Sequence, residues 1–217
     1  MKSIILLGMP GSGKGTQGAT LCCQMNLAHL ATGDLFREAM RAGTGLGEKF
    51  KEYALRGELL PDEVVCGLVK EWMVKIGKSR DGVLFDGFPR TLAQAEALED
   101  MIVELGWDPG FALLLTVDEG EVIRRLAGRR TCPACGKVFN TEMLSESDKC
   151  ESCRKSFVLR DDDREEVVRR RLDVYREETA PVANFYRVRG LLKEVVGVGS
   201  LAEVHDRIMI TLRGQND

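Results

Sequence analysis

Gly8-Met9-Pro10-Gly11-Ser12-Gly13-Lys14-Gly15-Thr16 follows directly on the short apolar run Ser3–Leu7 and leads into a stretch with helical spacing. The pattern G-x-x-x-x-G-K between a strand and a helix is the setting in which successive backbone N–H groups turn toward one phosphate. Its glycines let the backbone fold tightly, and the helix that follows adds the positive end of its dipole. Lys14 then reaches the outer phosphates as a point charge.

Outward from this loop, short apolar runs alternate with amphipathic helical stretches, which predicts a parallel sheet covered by helices. Strands are expected at Ser3–Leu7, Ala28–Ala31, Val83–Asp86, Phe111–Val117 and Leu192–Val196. Helices are expected to begin at Lys14, Asp34, Asp62, Leu92, Glu119, Asp163 and Ser200, with Gly43, Gly57, Gly106 and Gly128 as stops. Two regions break the rhythm. Residues 32–60 hold two short helical stretches and no strand, and residues 129–163 read as hairpin-like. Both are expected as insertions at the carboxyl edge of the sheet, where open α/β sheets bind ligands. The remaining segments, 1–31, 61–128 and 164–217, form the expected core.

One feature departs from the general motif. The position after Lys14 is Gly15, and a hydroxyl arrives only at Thr16. The loop hydroxyl that usually holds Mg²⁺ is therefore missing, and a carboxylate acting through water has to be considered. Asp86, at the end of the third strand, is the candidate.

At the ends of the second and third strands stand Ala31-Thr32-Gly33-Asp34-Leu35-Phe36-Arg37 and Phe85-Asp86-Gly87-Phe88-Pro89-Arg90-Thr91. With the glycine loop, these segments closely resemble the nucleoside monophosphate kinases, and among them the long, lidded adenylate kinases. Asp86-Gly87-Phe88-Pro89-Arg90 is the most specific element, and the resemblance runs over nearly the whole chain. It implies a P-loop NTPase-type sheet of five parallel strands in the order 2-3-1-4-5 with helices on both faces. It further implies a helical NMP-binding insertion at 32–60 and a zinc-containing lid at 129–163. The implied reaction is reversible transfer of a phosphoryl group from Mg-ATP to AMP, giving two ADP.

Chemistry agrees with that reaction. Phosphoryl transfer gathers negative oxygens, and arginine supplies planar paired donors for them. Arg37 and Arg90 lie just beyond strand ends, where they can converge on an acceptor phosphate. The resemblance implies that Thr32 and Gln94 contact the acceptor adenine and that Glu58, Leu59 and Leu60 line its pocket. Gly87, Phe88, Pro89 and Arg90 would wrap the nucleotide, and Thr91 with Gln94 reads as the adenine-accepting version. On the ATP side it implies Gly11, Ser12, Gly13, Lys14, Gly15, Thr16, Arg125, Arg129, Val138, Phe139 and Gly199. Arg160 and Arg171 would bridge to the transferring group, so Lys14, Arg90, Arg129, Arg160 and Arg171 make the expected catalytic set. Arg124, Arg130, Arg164, Arg169 and Arg170 read as solvated or paired with acids. Asp162 and Asp163 fit two readings equally, as anchors for lid arginines or as the cap of the following helix.

The chain has seven cysteines. Cys132 and Cys135, with Cys150 and Cys153, form two Cys-x-x-Cys pairs at a spacing that suits tetrahedral Zn²⁺ with four thiolates. With all four positions filled by protein, such a site is closed and structural, substituting for the core a small lid lacks. Cys22, Cys23 and Cys66 read as small packed hydrophobes. His29 and His205 read as structural.

Thirty-one basic against thirty-four acidic residues give a net charge of −3, which argues against a general nucleic-acid binder. No apolar run is long enough to span a bilayer and no signal peptide is evident, so no membrane partner and a cytoplasmic address are expected. The expected partners are ATP, AMP and ADP, and the expected state is a monomer. Two alternatives remain: a P-loop ATPase with a zinc-ribbon interaction module, and a kinase for another nucleoside monophosphate.

Overall fold

The computed structural model describes residues 1–77, 79–143 and 148–213. Residues 144–147 of the predicted lid and the tail at 214–217 lie outside them. The main sheet is built from β1 (Lys2–Leu7), β2 (Leu27–Ala31), β3 (Gly82–Asp86), β4 (Asp108–Thr116) and β7 (Leu192–Val196). All its pairings are parallel, in the order β2-β3-β1-β4-β7. Since β5 (Arg129–Thr131) and β6 (Val138–Asn140) form a separate antiparallel hairpin, this is the expected 2-3-1-4-5 order.

Successive side chains of a strand face opposite sides, and β1 shows why the sheet needs two covering layers. Ile5 and Leu7 enter one core with Val83, Phe85, Val69, Leu98 and Val182, beneath α4 (Asp62–Ile76), α5 (Leu92–Glu104) and α8 (Ala180–Val188). Ile4 and Leu6 enter the opposite core with Leu84, Leu21 and Ile208, beneath α1 (Lys14–Gln24) and α9 (Leu201–Arg213). A third cluster, Val122 and Leu126 of α6 (Glu119–Gly128) with Val168 and Leu172 of α7 (Glu165–Val174), packs next to the glycine loop at Met9.

Several boundaries differ from expectation for identifiable reasons. Strand β4 begins at Asp108 and not at Phe111, because a bulge lies opposite Ser3. Gly110 takes φ +61° there, and a Cβ on it would stand 1.8 Å from the Ser3 carbonyl oxygen. The helix α2 (Thr32–Arg41) starts two residues before Asp34, and the helix after Asp163 starts at Glu165, behind a 3₁₀ turn at Asp161–Asp163. The last helix starts at Leu201, with the Ser200 hydroxyl accepting from the Glu203 N–H at 3.3 Å. Between α7 and α8 the helix widens to a π turn at Tyr175–Thr179. Pro181 has no N–H to continue the ladder, and the wider turn absorbs that loss.

Helices α2 and α3 (Gly45–Arg56) lie between β2 and α4, and the β5–β6 hairpin lies between α6 and α7. Cys22 and Cys66 pack against the cores as expected, whereas Cys23 is exposed, since it lies on the outward face of α1. No described helix is long and apolar enough to cross a membrane.

Candidate active site

The loop after β1 closes on itself before α1 begins. Gly13 caps α1 with φ +98°, and the Ser12 N–H donates to the Met9 carbonyl at 3.1 Å. The Lys14 ammonium folds back over the loop, donating to the carbonyls of Gly8 at 2.6 Å and Met9 at 2.8 Å. Arg125, from α6, holds the loop from the other side. Its guanidinium is fixed by Glu121 at 2.6 Å and donates to the Gly197 carbonyl at 3.1 Å and the Ser12 carbonyl at 3.5 Å. Gly11, Ser12, Gly13, Gly15 and Thr16 thus form one rim, with Gly15 and Thr16 exposed. Gly199 lies in the neighbouring β7–α9 turn, which Arg207 ties through the Val196 and Val198 carbonyls.

The ends of β2 and β3 meet opposite the loop. The Gly87 carbonyl accepts from the Thr32 hydroxyl at 2.9 Å and from Arg90 Nε at 2.8 Å. A Cβ on Gly87, whose φ is +78°, would stand 2.9 Å from the Arg90 guanidinium. Phe88 and Pro89, joined by a cis peptide, are buried beneath. Glu58, Leu59 and Leu60 follow α3, Leu60 buried, Glu58 paired with Arg56 at 2.8 Å.

Cationic side chains from every part of the chain converge here. Burial pushes the Lys14 ammonium down to about 8, and Arg90, Arg171 and Arg129 push the same way while Asp86 opposes. Burial, then Arg171, lowers Arg90 to about 10, and burial, then Arg37 and Arg129, lowers Arg160 to about 10. Arg171 is lowered by burial too. Burial is the larger cause in each and neighbouring cations add to it, whereas Arg129 goes the other way, raised by its bond to Asp163. Such a cluster is built to receive a polyanion.

The acids present fix the geometry of the cluster. Asp163 is buried and binds both the Nε of Arg129, at 2.6 Å, and its Nη2. It also accepts from Arg171 at 3.2 Å, and Asp162 pairs with Arg171 at 3.2 Å. Of the two readings for these aspartates, the anchoring one holds, since no side chain caps α7. Arg160 donates to the Thr131 hydroxyl at 2.8 Å, and Arg37 to Asp34 at 2.6 Å. Asp86 faces the loop: its Oδ2 lies 3.4 Å from where a Cβ on Gly15 would stand. Burial alone would raise this carboxyl, but His29, Lys14 and Arg90 outweigh it and hold it low. His29 Nε2 is 3.8 Å from Asp86, at ion-pair range without a hydrogen bond. His205 is structural, set between Gln17 at 3.3 Å and Gln24 at 2.7 Å.

The arginines read as peripheral behave as such. Arg124 pairs with Glu121 and Glu142, Arg164 with Asp161, Arg169 with Glu165, and Arg130 with backbone carbonyls. Val138 and Phe139 sit on the hairpin, Val138 exposed, the Phe139 ring 4.4 Å from that of Phe157.

In the hairpin region the sulfurs of Cys132, Cys135, Cys150 and Cys153 all lie within 4.8 Å of one another. Four thiolates on one tetrahedral Zn²⁺ with Zn–S near 2.3 Å would stand about 3.8 Å apart, so the cage fits that ion. Both pairs adopt the same turn. The Cys132 N–H donates to Lys137 and its carbonyl accepts from Gly136, and Cys150 repeats the pattern with Lys155 and Arg154. The backbone N–H of Cys135 is the largest cause holding the Cys132 thiol down, at about 7.

A family model described as adenylate kinase matches residues 6–191. The chain belongs to the adenylate kinase family. It is 43% identical over 211 residues to the adenylate kinase of Thermodesulfovibrio yellowstonii, covering 96% of this chain and 98% of that protein. It is 44% identical to that of Syntrophotalea carbinolica, covering 96% and 97%. The adenylate kinase of Archaeoglobus fulgidus is 43% identical over 208 residues, 95% of each chain. As a family member the chain is a kinase.

Three residues of the site were not singled out by sequence. Asp62 was read only as a helix start, yet its carboxylate accepts from Gln94 and Thr91. Asp34, likewise read as a helix start, holds Arg37, and the i, i+3 spacing was the available signal. Arg41 carried no signal at all, and it reaches the hairpin.

Proposed function

We propose that this adenylate kinase family member transfers the terminal phosphoryl group of Mg-ATP to AMP, reversibly, giving two ADP. The observation that carries the reading is the convergence of Lys14, Arg90, Arg129, Arg160 and Arg171: burial and then neighbouring cations lower Lys14, Arg90, Arg160 and Arg171, while Asp163 holds Arg129 up. ATP phosphates would lie in the loop from Gly11 to Thr16 under Lys14, with Arg125 and Arg129 beside them. AMP would lie against Thr32, Arg37, the stretch Glu58 to Leu60, Gly87 to Arg90 and Gln94, with Arg160 and Arg171 between the nucleotides. Val138, Phe139 and Gly199 would meet the donor nucleoside.

These groups act by positioning and by stabilising charge, with no covalent intermediate on the protein. Arg129 and Arg171 share the buried Asp163, so their guanidinium planes are set before substrate arrives. Asp86, fronting Gly15 and held low, is the residue that would hold the Mg²⁺ of Mg-ATP, and that ion would supply neutralisation of phosphate charge. Zn²⁺ in the Cys132, Cys135, Cys150 and Cys153 cage would be structural. We divide the chain into a core of 1–31, 61–128 and 164–217, an AMP-binding insertion at 32–60 and a lid at 129–163. Closure of the last two would exclude water. A cytoplasmic monomer fits this reading.

The test is nucleoside diphosphate production from Mg-ATP with AMP, GMP, CMP and UMP offered separately. Turnover with AMP, at roughly 1–1,000 per second, supports the reading. Preference for another monophosphate would overturn the acceptor assignment and leave the kinase.

A further inference from the structure

Gln94 is buried in the first turn of α5, and both ends of its amide are engaged. Its Nε2 donates to Asp62 Oδ1 at 2.7 Å, and its Oε1 accepts from the Arg90 backbone N–H at 2.8 Å. Asp62 is itself fixed, since its Oδ2 accepts from the Thr91 hydroxyl at 3.0 Å. The same hydroxyl oxygen accepts from the Gln94 backbone N–H at 3.1 Å and caps the helix. Thr91 thus acts on Gln94 and Asp62.

An ionised carboxylate can only accept, and a backbone N–H can only donate. Rotating the amide by half a turn would set oxygen against carboxylate at one end and N–H against N–H at the other. Two good hydrogen bonds, one of them to a charged group, would become two repulsions. The amide orientation is therefore determined by its partners.

An amide carries two N–H hydrogens and two lone pairs, so one donor and one acceptor remain for a ligand, in fixed order. A 6-aminopurine offers a donor at the exocyclic amine and an acceptor at N1. A 6-oxopurine offers the same two groups reversed, an acceptor at O6 and a donor at N1. A fixed amide matches one edge, and an amide free to turn matches either.

We infer that Asp62 sets the purine preference of the acceptor site by fixing the Gln94 amide against the Asp62 carboxylate. Asp62 is a positioning residue, and it excludes 6-oxopurine monophosphates without touching the base. The inference rests on the reading above, in which Gln94 faces the acceptor base.

The experiment measures kcat and KM for AMP and for IMP, which differ at the edge in question, in the wild type, Asp62→Asn and Asp62→Glu. Asparagine keeps the volume but can donate or accept, so the penalty for a turned amide falls to the single clash with the Arg90 backbone N–H. The expected result is a fall in the AMP-to-IMP ratio of kcat/KM by about tenfold or more in Asp62→Asn, the worth of one charge-assisted hydrogen bond. The change should reside in KM, and Asp62→Glu, which keeps the carboxylate, should recover part of the ratio. Equal loss on AMP and IMP, with the ratio unchanged, would reduce Asp62 to a structural link between α4 and α5 and overturn the inference. Should Asp62→Asn not fold, as judged by thermal melting, Asp62→Ser is read in its place by the same criterion. A wild type indifferent to AMP over IMP would instead overturn the acceptor reading itself.

Discussion

Arg41, in the last turn of α2, donates from Nη1 to the carbonyl oxygen of Ala134 at 3.1 Å, and Ala134 lies inside the first Cys-x-x-Cys turn. The helical insertion and the cysteine-bound hairpin are therefore tied directly. The cavity between them is lined by Met40, Phe50 and Leu55 on one side and by Pro133 and Leu159 on the other. If the two parts close over substrates, this bond favours the closed form and should slow opening. An exposed hydrogen bond of this kind contributes about 1 kcal/mol, or about fivefold in an equilibrium. Arg41→Ala is expected to raise KM for the acceptor by up to about that factor, with kcat unchanged or higher. Steady-state kinetics check it, and a KM unchanged from wild type would show that the contact has no part in closure.

Lys14 gives the alkaline behaviour. Burial holds its ammonium down to about 8 against an ordinary 10.5. Between those values the folded protein has released a proton that the unfolded chain keeps. The contribution of this group to stability is thus lowest below about 8 and rises with pH through that window. Activity runs the opposite way, because a neutral lysine no longer attracts phosphate. We expect kcat/KM for ATP to fall above pH about 8, and the limb in kcat to lie higher, since bound phosphate keeps the ammonium charged. Lys14→Met should lower turnover by orders of magnitude and flatten the rise in urea midpoint between pH 8 and 10. A kcat/KM profile flat to pH 10 would contradict the assignment.

Asp163 gives the largest stability effect. It is buried, and both Arg129 and Arg171 depend on it. Removing one partner of a buried ionic group leaves the others uncompensated, at a cost on the order of 3 kcal/mol. Asp163→Asn is expected to lower stability by about that amount in urea unfolding and to lower turnover by misplacing two arginines. Arg169→Ala, on an exposed pair with Glu165, should do neither.

What the sequence made legible follows from distance along the chain. The glycine loop, the strand ends at Thr32 and Asp86 and both cysteine turns are local patterns, readable from residues a few positions apart. The arginines Arg129, Arg160 and Arg171 were found through resemblance, since nothing local separates them from Arg124 or Arg169. Asp62 was missed because its partner Gln94 stands 32 residues away on another helix, and a first-turn acid already has a local explanation. Arg41 was missed for a stronger form of the same reason, with 93 residues between it and Ala134. The choice between the readings of Asp163 needed the third dimension, because a carboxylate before a helix fits a cap equally well until its arginines are seen.

The two cysteine turns repeat one backbone pattern with one difference in residue. Gly136 takes φ +76° in the first, and Arg154 takes φ +55° at the matching place in the second. A left-handed conformation costs a residue with a Cβ on the order of 1 kcal/mol, and glycine adopts it freely. Arg154→Gly is therefore expected to stabilise the second turn by up to about 1 kcal/mol, despite the greater freedom of glycine in the unfolded chain. The gain should appear as slower loss of Zn²⁺ to a chromogenic chelator and a higher melting temperature, with kcat little changed. Cys153→Ser, which removes one thiolate, should act in the opposite direction and bring the metal content well below one per chain. If Arg154→Gly left the rate of metal loss unchanged while Cys153→Ser raised it, the cage would stand as a metal site and the strain at Arg154 would have no bearing on it. If neither substitution changed metal content or stability, the four-cysteine cage would not be what holds the hairpin together.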